Sequence, residues 1–227
     1  MMKKLMGFIG ATFLGMMAFI QGNTMEIQYK LLTGIEIQQY LPFIVQQSID
    51  TWRAYPYLYD GTYDQQEALW RELIAWKNNA VVIALYQEKP VGFMAGVNFS
   101  DYNHHFSESV ELFKNNGLSS ADYYYIVSCI VLPEFRGRKI MEKMGEILEG
   151  FIKPYNYSYV CFATSNKDEN DPLRPADYRS AEHVWLRSWF KKTNLIVRAN
   201  WDTLQPDGSK KDQEHELVFW VRPNINK

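Results

Sequence analysis

The sequence has little net charge and few cysteines. Its formal net charge is -2 at pH 7, and no long basic cluster provides the surface that nucleic acids need, so no nucleic-acid partner is expected. The two cysteines, Cys129 and Cys161, lie in apolar, strand-like runs. We expect two buried free thiols, because a disulfide would require export and neighbouring strands. The four histidines show no metal-site spacing, and no metal is expected.

Residues 1–24 differ in character from the rest of the chain. Two lysines, Lys3 and Lys4, precede an uncharged apolar run at residues 5–20. This pattern is typical of a secretory signal peptide, and the run falls short of a stable membrane span. Alternatively, translation begins at Met25 and the leader is an over-extended start. The first hypothesis implies export or membrane tethering through residues 5–20, and the second implies a cytoplasmic protein.

Residues 25–227 are long enough for a single domain with one sizeable core. Apolar runs predict strands at 25–32, 80–86, 91–97, 159–164, 195–201 and 216–221, and a central strand that follows Ser107–Lys114 and ends at Pro133. Helical spacing predicts helices at 35–52, 62–77, 107–114, 140–151 and 180–191. Because strands and helices do not alternate throughout, a mixed, mostly antiparallel sheet fits better than a doubly wound parallel one.

The segment 123–151 is the most informative part of the chain. A β-branched apolar run ends at Pro133, the basic turn Arg136-Gly137-Arg138-Lys139 follows, and helical spacing starts at Ile140. The free N–H groups and the dipole at a helix N-terminus form an anion site, which a diphosphate can occupy.

Several segments together carry a family resemblance. VLPEFRGRKIMEKM, at residues 131–144, resembles the acetyl-CoA motif of the GNAT superfamily of N-acetyltransferases. YPYLYDG at 55–61, DPLRPADYR at 171–179, VWLRSWF at 184–190 and LVFWV at 217–221 resemble one branch of that superfamily. The resemblance spans about residues 25–222. It implies an α+β fold in which about seven strands form a mixed, mostly antiparallel sheet flanked by about four helices.

The resemblance also implies acetyl-CoA as co-substrate. Backbone groups of Cys129 and Val131 would pair with the pantetheine arm. The loop and first helical turn would hold the diphosphate, through Arg136, Gly137, Arg138, Lys139, Ile140 and Met141.

Catalytic candidates lie on the central strand and in the loops. Ser128 occupies the strand position where relatives often carry Glu. Tyr59 and Tyr178 are candidate acids, and Asp60 is a candidate base. Tyr57 and Arg174 are candidate substrate-binding residues, and Arg174 can bind a carboxylate or form a structural salt bridge.

Two functions remain open. The first is N-acetyl transfer from acetyl-CoA to an amine of a small molecule or peptide by direct attack. The second is a catalytically diverged GNAT-like binding or effector module that is exported. Lys139 and Met141 at usually small positions, and Ser128 and Trp185 at positions that often carry Glu and Tyr, favour the second. The aromatic surface is compatible with a homodimer.

Overall fold

A seven-stranded sheet forms the centre of the molecule. The computed structural model describes residues 26–104 and 107–224, and the predicted leader at residues 1–24 lies outside this part. The strands lie in the order β1-β2-β3-β4-β5-β7-β6. Their bounds are β1 Ile27–Leu32, β2 Ala80–Tyr86, β3 Lys89–Asn98, β4 Tyr123–Val131, β5 Tyr159–Ser165, β6 Lys191–Leu204 and β7 Lys210–Pro223. Neighbours are antiparallel except β4 and β5, which confirms the predicted mixed, mostly antiparallel sheet.

The parallel strands β4 and β5 pair with each other at one end and separate at the other. Its register runs from Tyr123↔Tyr159 to Tyr125↔Cys161. Beyond these residues, β4 continues beside β3 to Val131, whereas β5 continues beside β7 to Ser165. A wedge-shaped gap therefore opens through the sheet after Tyr125.

A bulge in β4 lies beside this gap. Ala95 pairs with Ser128 and Gly96 pairs with Ile126, so Val127 is the extra residue. Gly96 is required at the bulge, because an added Cβ would lie 2.3 Å from the ring of Tyr124. The bulge changes the alternation of side chains along β4 close to the narrow end of the gap.

Helices cover both faces of the sheet. Three helices, α1 (Leu41–Arg53), α2 (Tyr63–Ala75) and α3 (Ser107–Asn115), pack on one side, called the α1 face. Two helices, α4 (Ile140–Ile152) and α5 (Glu182–Arg187), pack on the other side, called the α4 face. Each face has its own apolar core, so the gap connects two otherwise separate layers.

Two predicted helices differ from the structure. The helix predicted at 35–52 begins as a 3₁₀ helix, Gly34–Tyr40, and becomes α-helical at Leu41. Pro42 explains the change, because proline fits the first turn of an α-helix but disrupts its interior. The helix predicted at 180–191 covers only Glu182–Arg187, since Trp189 adopts a φ of 65° and ends it.

The start of α2, the last two strands and the two cysteines can also be compared with the predictions. The helix predicted at 62–77 begins with a capping box, in which Thr62 Oγ1 accepts from the Gln65 N–H and Gln65 Oε1 accepts from the Thr62 N–H. The two closing strands are longer than predicted, because β6 pairs with β7 well beyond the rest of the sheet. Both cysteines are free, but the predicted burial is wrong for Cys129, which is exposed at the gap.

In residues 26–104 and 107–224, no helix has the length and apolarity needed to cross a membrane. The same residues contain no cluster of His, Cys, Asp and Glu that could hold a metal ion.

Candidate active site

The gap between β4 and β5 leads into a cavity of about 450 Å³. Trp52 and Tyr57 line it on the α1 face, and Met141 and Trp185 line it on the α4 face. Ser128 lines it at the bulge. The cavity therefore passes through the sheet, and a ligand on one face can meet a second ligand on the other.

The edge of β4 that faces the gap offers backbone hydrogen-bonding groups. The Leu132 N–H donates to the Val91 carbonyl on β3 at 2.9 Å. Because alternate residues of a strand direct their backbone groups to opposite edges, those of Cys129 and Val131 face the gap. The side chain of Arg136 already contacts this edge, with Nε donating to the Val131 carbonyl at 3.0 Å. The structure thus places both predicted pantetheine-pairing residues at a free strand edge.

The loop that enters α4 forms a concave set of backbone amides. Gly137 has a φ of 74° and Lys139 a φ of 60°, so the chain turns sharply into the helix. Within the described chain, the backbone N–H groups of residues 137–141 have no backbone acceptor, and the first helical bond joins the Lys143 N–H to the Lys139 carbonyl. Free N–H groups at a helix N-terminus bind anions.

Lys139 and Met141 show how the chain departs from small residues in this loop. Lys139 adopts the left-handed conformation that glycine favours, at a cost of about 1–2 kcal/mol, and it remains exposed. Met141 is half-buried and lines the cavity. Lys139 therefore leaves the amides accessible, whereas Met141 narrows the cavity beside them.

The Cys129 thiol opens into the cavity. Desolvation by the cavity walls raises the pKa of Cys129 to about 12. The protonated thiol is a poor nucleophile, so the site is better suited to direct transfer than to an acyl-cysteine intermediate.

Tyr57 is the tyrosine that reaches the cavity from the α1 face. Its main-chain carbonyl accepts from Trp201 Nε1 at 2.9 Å, which fixes the loop to β6. Burial, with a smaller effect of Tyr178, raises the pKa of Tyr57 to about 12. Its hydroxyl therefore keeps its proton throughout the neutral range, and it forms a hydrogen bond with the backbone of Ser165.

Tyr178 and Arg174 lie beside Tyr55, two residues before this tyrosine. The rings of Tyr55 and Tyr178 meet edge-on at 4.6 Å between centroids, and the Arg174 guanidinium lies 5.3 Å from the Tyr178 ring centroid. Arg174 forms no ion pair among the described residues. Arg174 thus contacts an aromatic ring, and its predicted role in binding a carboxylate stays a prediction.

A buried histidine borders the same region. His215 Nε2 lies 2.7 Å from Thr203 Oγ1, Nδ1 lies 3.1 Å from Lys167 Nζ, and the ring stacks on Trp201 at 3.7 Å. Since Lys167 Nζ donates to Nδ1, Nε2 carries the ring proton. Burial, with Lys167 adding to it, lowers the pKa of His215 to about 4. His215 is therefore neutral and holds β6 and β7 together.

The other predicted catalytic residues are more scattered. Ser128 lies at the bulge in the cavity wall. Tyr59 packs edge-on against Trp52, with its backbone bridged to Thr203. Asp60 pairs with Lys210 at 2.5 Å and also with Arg53, and hydrogen bonds from these two side chains lower its pKa. The structure brings Ser128 and Tyr57 together at the cavity and gives Asp60 two cationic partners instead.

Sequence reasoning missed an ion pair in the cavity wall. Glu149 of α4 pairs with Arg222 at the end of β7, both side chains are about nine-tenths buried, and both line the cavity. Arg222 also lies over the Phe190 ring at 4.9 Å. A carboxylate next to Leu148 on the apolar side of α4 was the available signal, because an isolated charge is costly there.

A mixed seven-stranded sheet that opens beside a helix N-terminus is an acetyltransferase fold. The family model of the Acetyltransferase (GNAT) family matches residues 47–176, more than half of the sequence. The chain belongs to this family.

Solved structures agree with this assignment at the level of the fold. The crystal structure of an N-acetyltransferase from Staphylococcus aureus Mu50 is 14% identical, with a TM-score of 0.54, covering 88% of this chain and 99% of that one. The aminoglycoside 6'-N-acetyltransferase from Enterococcus faecium is 12% identical, with a TM-score of 0.53 and coverages of 88% and 98%. An aminoglycoside 6'-N-acetyltransferase complexed with coenzyme A is 13% identical, with a TM-score of 0.52 and coverages of 86% and 97%. Among curated proteins, none matches significantly.

Proposed function

We propose that this protein transfers an acetyl group from acetyl-CoA to an amine of a small molecule or peptide. The observation that carries the proposal is the cavity that crosses the sheet, with a helix N-terminus on one face and Tyr57 on the other. Such a cavity can bring a thioester and an amine into contact while each is held from its own side. The homodimer compatible with the aromatic surface stays a prediction.

The α4 face supports donor binding. The amides of residues 137–141 suit the diphosphate, with Arg136, Arg138 and Lys139 adding positive charge. The edge of β4 at Cys129 and Val131 suits the amides of the pantetheine arm, because the backbone groups of the strand and the amides of the ligand can then hydrogen-bond to each other. The donor thioester would lie at the bulge, beside Val127 and Ser128.

The α1 face supports acceptor binding. Tyr57 lies in the cavity wall, and Tyr178, which packs against Tyr55, has the Arg174 guanidinium over its ring. An amine acceptor that also carries a carboxylate would match the guanidinium of Arg174, which forms no ion pair in the described part of the chain. The acceptor nitrogen would then face the thioester across the gap.

The chemistry follows from this placement. The amine attacks the thioester carbonyl, the new C–N bond forms, the C–S bond breaks, and the amine proton leaves to water. Tyr57 gives its proton to the departing thiolate and recovers one through solvent. Backbone N–H groups at the bulge polarise the carbonyl, and most of the rate enhancement comes from positioning, because oriented reactants react at high effective concentration.

Calorimetric titration of the full chain with CoA and acetyl-CoA tests donor binding. Gly145 of α4 lines the cavity, and a Cβ added there would meet only Met94 Cε, at 3.9 Å. Gly145→Phe should therefore fill the cavity and weaken CoA binding by at least tenfold. Gly150→Phe is the matched control, because a Cβ at Gly150 meets nothing within 4 Å. Absence of heat at millimolar CoA would overturn the proposal.

A binding or effector module that has lost acetyl transfer is the second candidate. One observation favours it: among the described residues that line the cavity on the α1 face and at the bulge, none carries a carboxylate that could accept the amine proton. Release of CoA during incubation with a panel of amines separates the two functions. Turnover supports the enzyme, whereas CoA binding without turnover for any amine supports the module.

A further inference from the structure

The cavity continues beyond the site of transfer. Below the bulge, on the α4 face, it extends towards the end where β4 and β5 pair. We call this part the lower arm, and it is lined by Tyr124, Ile126, Leu148, Ile152, Val160 and Phe162. The pair Tyr124↔Val160 closes its end. An acetyl group at the bulge would leave this space unused.

The walls of the lower arm are apolar and firmly packed. Trp185 meets Phe162 at 5.3 Å and Trp220 at 5.0 Å between ring centroids, so aromatic contacts fix the wall beside α5. Because α5 is only six residues long, its backbone does not fill the layer beside α4. Apolar cavities of this kind hold water poorly and bind apolar ligands.

The length of the arm can be read from the pairing of β4 with β3. Ser128 at the bulge pairs with Ala95 and Tyr124 at the closed end pairs with Asn98, so the arm spans three steps of strand β3, or about 10 Å. The buried pair Glu149–Arg222 lies in the same cavity wall. Its charges limit the arm, since a methyl group gains little by contacting an ion pair.

We propose that the lower arm binds the acyl chain of the donor, and that this protein prefers an unbranched acyl-CoA of medium length over acetyl-CoA. The inference rests on the proposed function, because it assumes that the thioester lies at the bulge. From there the chain runs between β4 and α4 along Ile126 and Leu148. Each buried methylene group strengthens binding by about fourfold.

Titrations with CoA and with acetyl-, butanoyl-, hexanoyl- and octanoyl-CoA test the inference. Hexanoyl-CoA should bind at least tenfold more tightly than acetyl-CoA. Ile126→Phe should bring this ratio close to one without changing the affinity for CoA itself. Leu186→Phe is the control, because Leu186 on α5 is 58% exposed and its substitution should leave the ratio unchanged.

The outcomes are distinguishable. No binding of CoA overturns the proposed function, whereas CoA binding with equal or better affinity for acetyl-CoA overturns only the acyl-chain inference. A ratio that Ile126→Phe leaves unchanged overturns it as well. If Ile126→Phe lowers CoA affinity or thermal stability, Val160→Ala decides: because Val160 closes the end of the arm, the smaller side chain lengthens the arm and must move the preference towards octanoyl-CoA, and no movement contradicts the inference.

Discussion

The two sides of the gap between β4 and β5 are built in different ways. The α4 face, the proposed donor side, comes largely from one continuous segment, Tyr123 to Phe151, and uses mainly backbone groups. The α1 face, the proposed acceptor side, combines Tyr57, Arg174, Tyr178 and the β6–β7 hairpin, and uses side chains. Backbone recognition suits an invariant donor, whereas side chains can be exchanged to suit different acceptors.

The largest expected effect is a loss of stability caused by a substitution on the donor side. Glu149→Gln leaves Arg222 buried without its carboxylate partner, and it should lower the free energy of unfolding by about 3–5 kcal/mol. Urea denaturation followed by tryptophan fluorescence measures this change. Glu146→Gln is the control, since its pair with Lys143 is exposed and should contribute almost nothing. Equal stability of the two variants would refute a structural role for the buried pair.

The next effect separates chemistry from donor binding. Tyr57→Phe should lower kcat by about a hundredfold, because general-acid residues contribute at least this much, while CoA affinity stays the same. Steady-state kinetics and calorimetry provide the two readouts. Tyr63→Phe serves as control, because Tyr63 is exposed on α2. An unchanged kcat would remove Tyr57 from the chemistry.

A third effect concerns pH and the acceptor side. The folded pKa of His215 is about 4, below its value of about 6.5 in an unfolded chain. The unfolded state therefore binds the proton more readily, and stability present above pH 6.5 is lost as the pH falls towards 4, by about 2–3 kcal/mol. The free energy of unfolding, measured by denaturation at each pH, should depend less on pH for His215→Gln than for wild type across this range. For His183→Gln the pH dependence should equal that of wild type. The same pH dependence of the unfolding free energy for wild type and His215→Gln would contradict the lowered pKa of His215.

A fourth effect tests acceptor selection. Arg174→Gln should raise KM about tenfold for acceptors that carry a carboxylate and leave KM for uncharged amines alone, because one charge-assisted contact is lost. Arg179→Gln, an exposed position in the same loop, is the matched control. An equal increase for both acceptor classes would indicate a structural role for Arg174.

The smallest expected effect sharpens the assignment of Asp60. Asp60→Asn should change kcat less than twofold, because its carboxylate already binds Lys210 and Arg53. Initial rates of wild type and Asp60→Asn, measured across pH, test this expectation for kcat. A large loss of kcat would restore Asp60 as the base expected from sequence.

Sequence patterns predicted the donor side better than the acceptor side. The strand, basic turn and helix at 123–151 are consecutive, so periodicity and the helix-terminus rule were sufficient to place them. Trp189 shows the opposite case: its positive φ ends α5 early, and nothing in the local pattern of residues 180–191 indicates this. Cys129 is similar, because its exposure depends on where β5 diverges.

By itself, the sequence determined the mixed sheet and the basic turn that leads into α4, because local periodicity and turn chemistry act over a few residues. Only the tertiary structure decided that β4 and β5 separate after Tyr125, that Tyr57 reaches the cavity, and that Glu149 meets Arg222. These features join residues far apart in the chain, and their geometry follows from competition between strand pairings and from packing on both faces of the sheet.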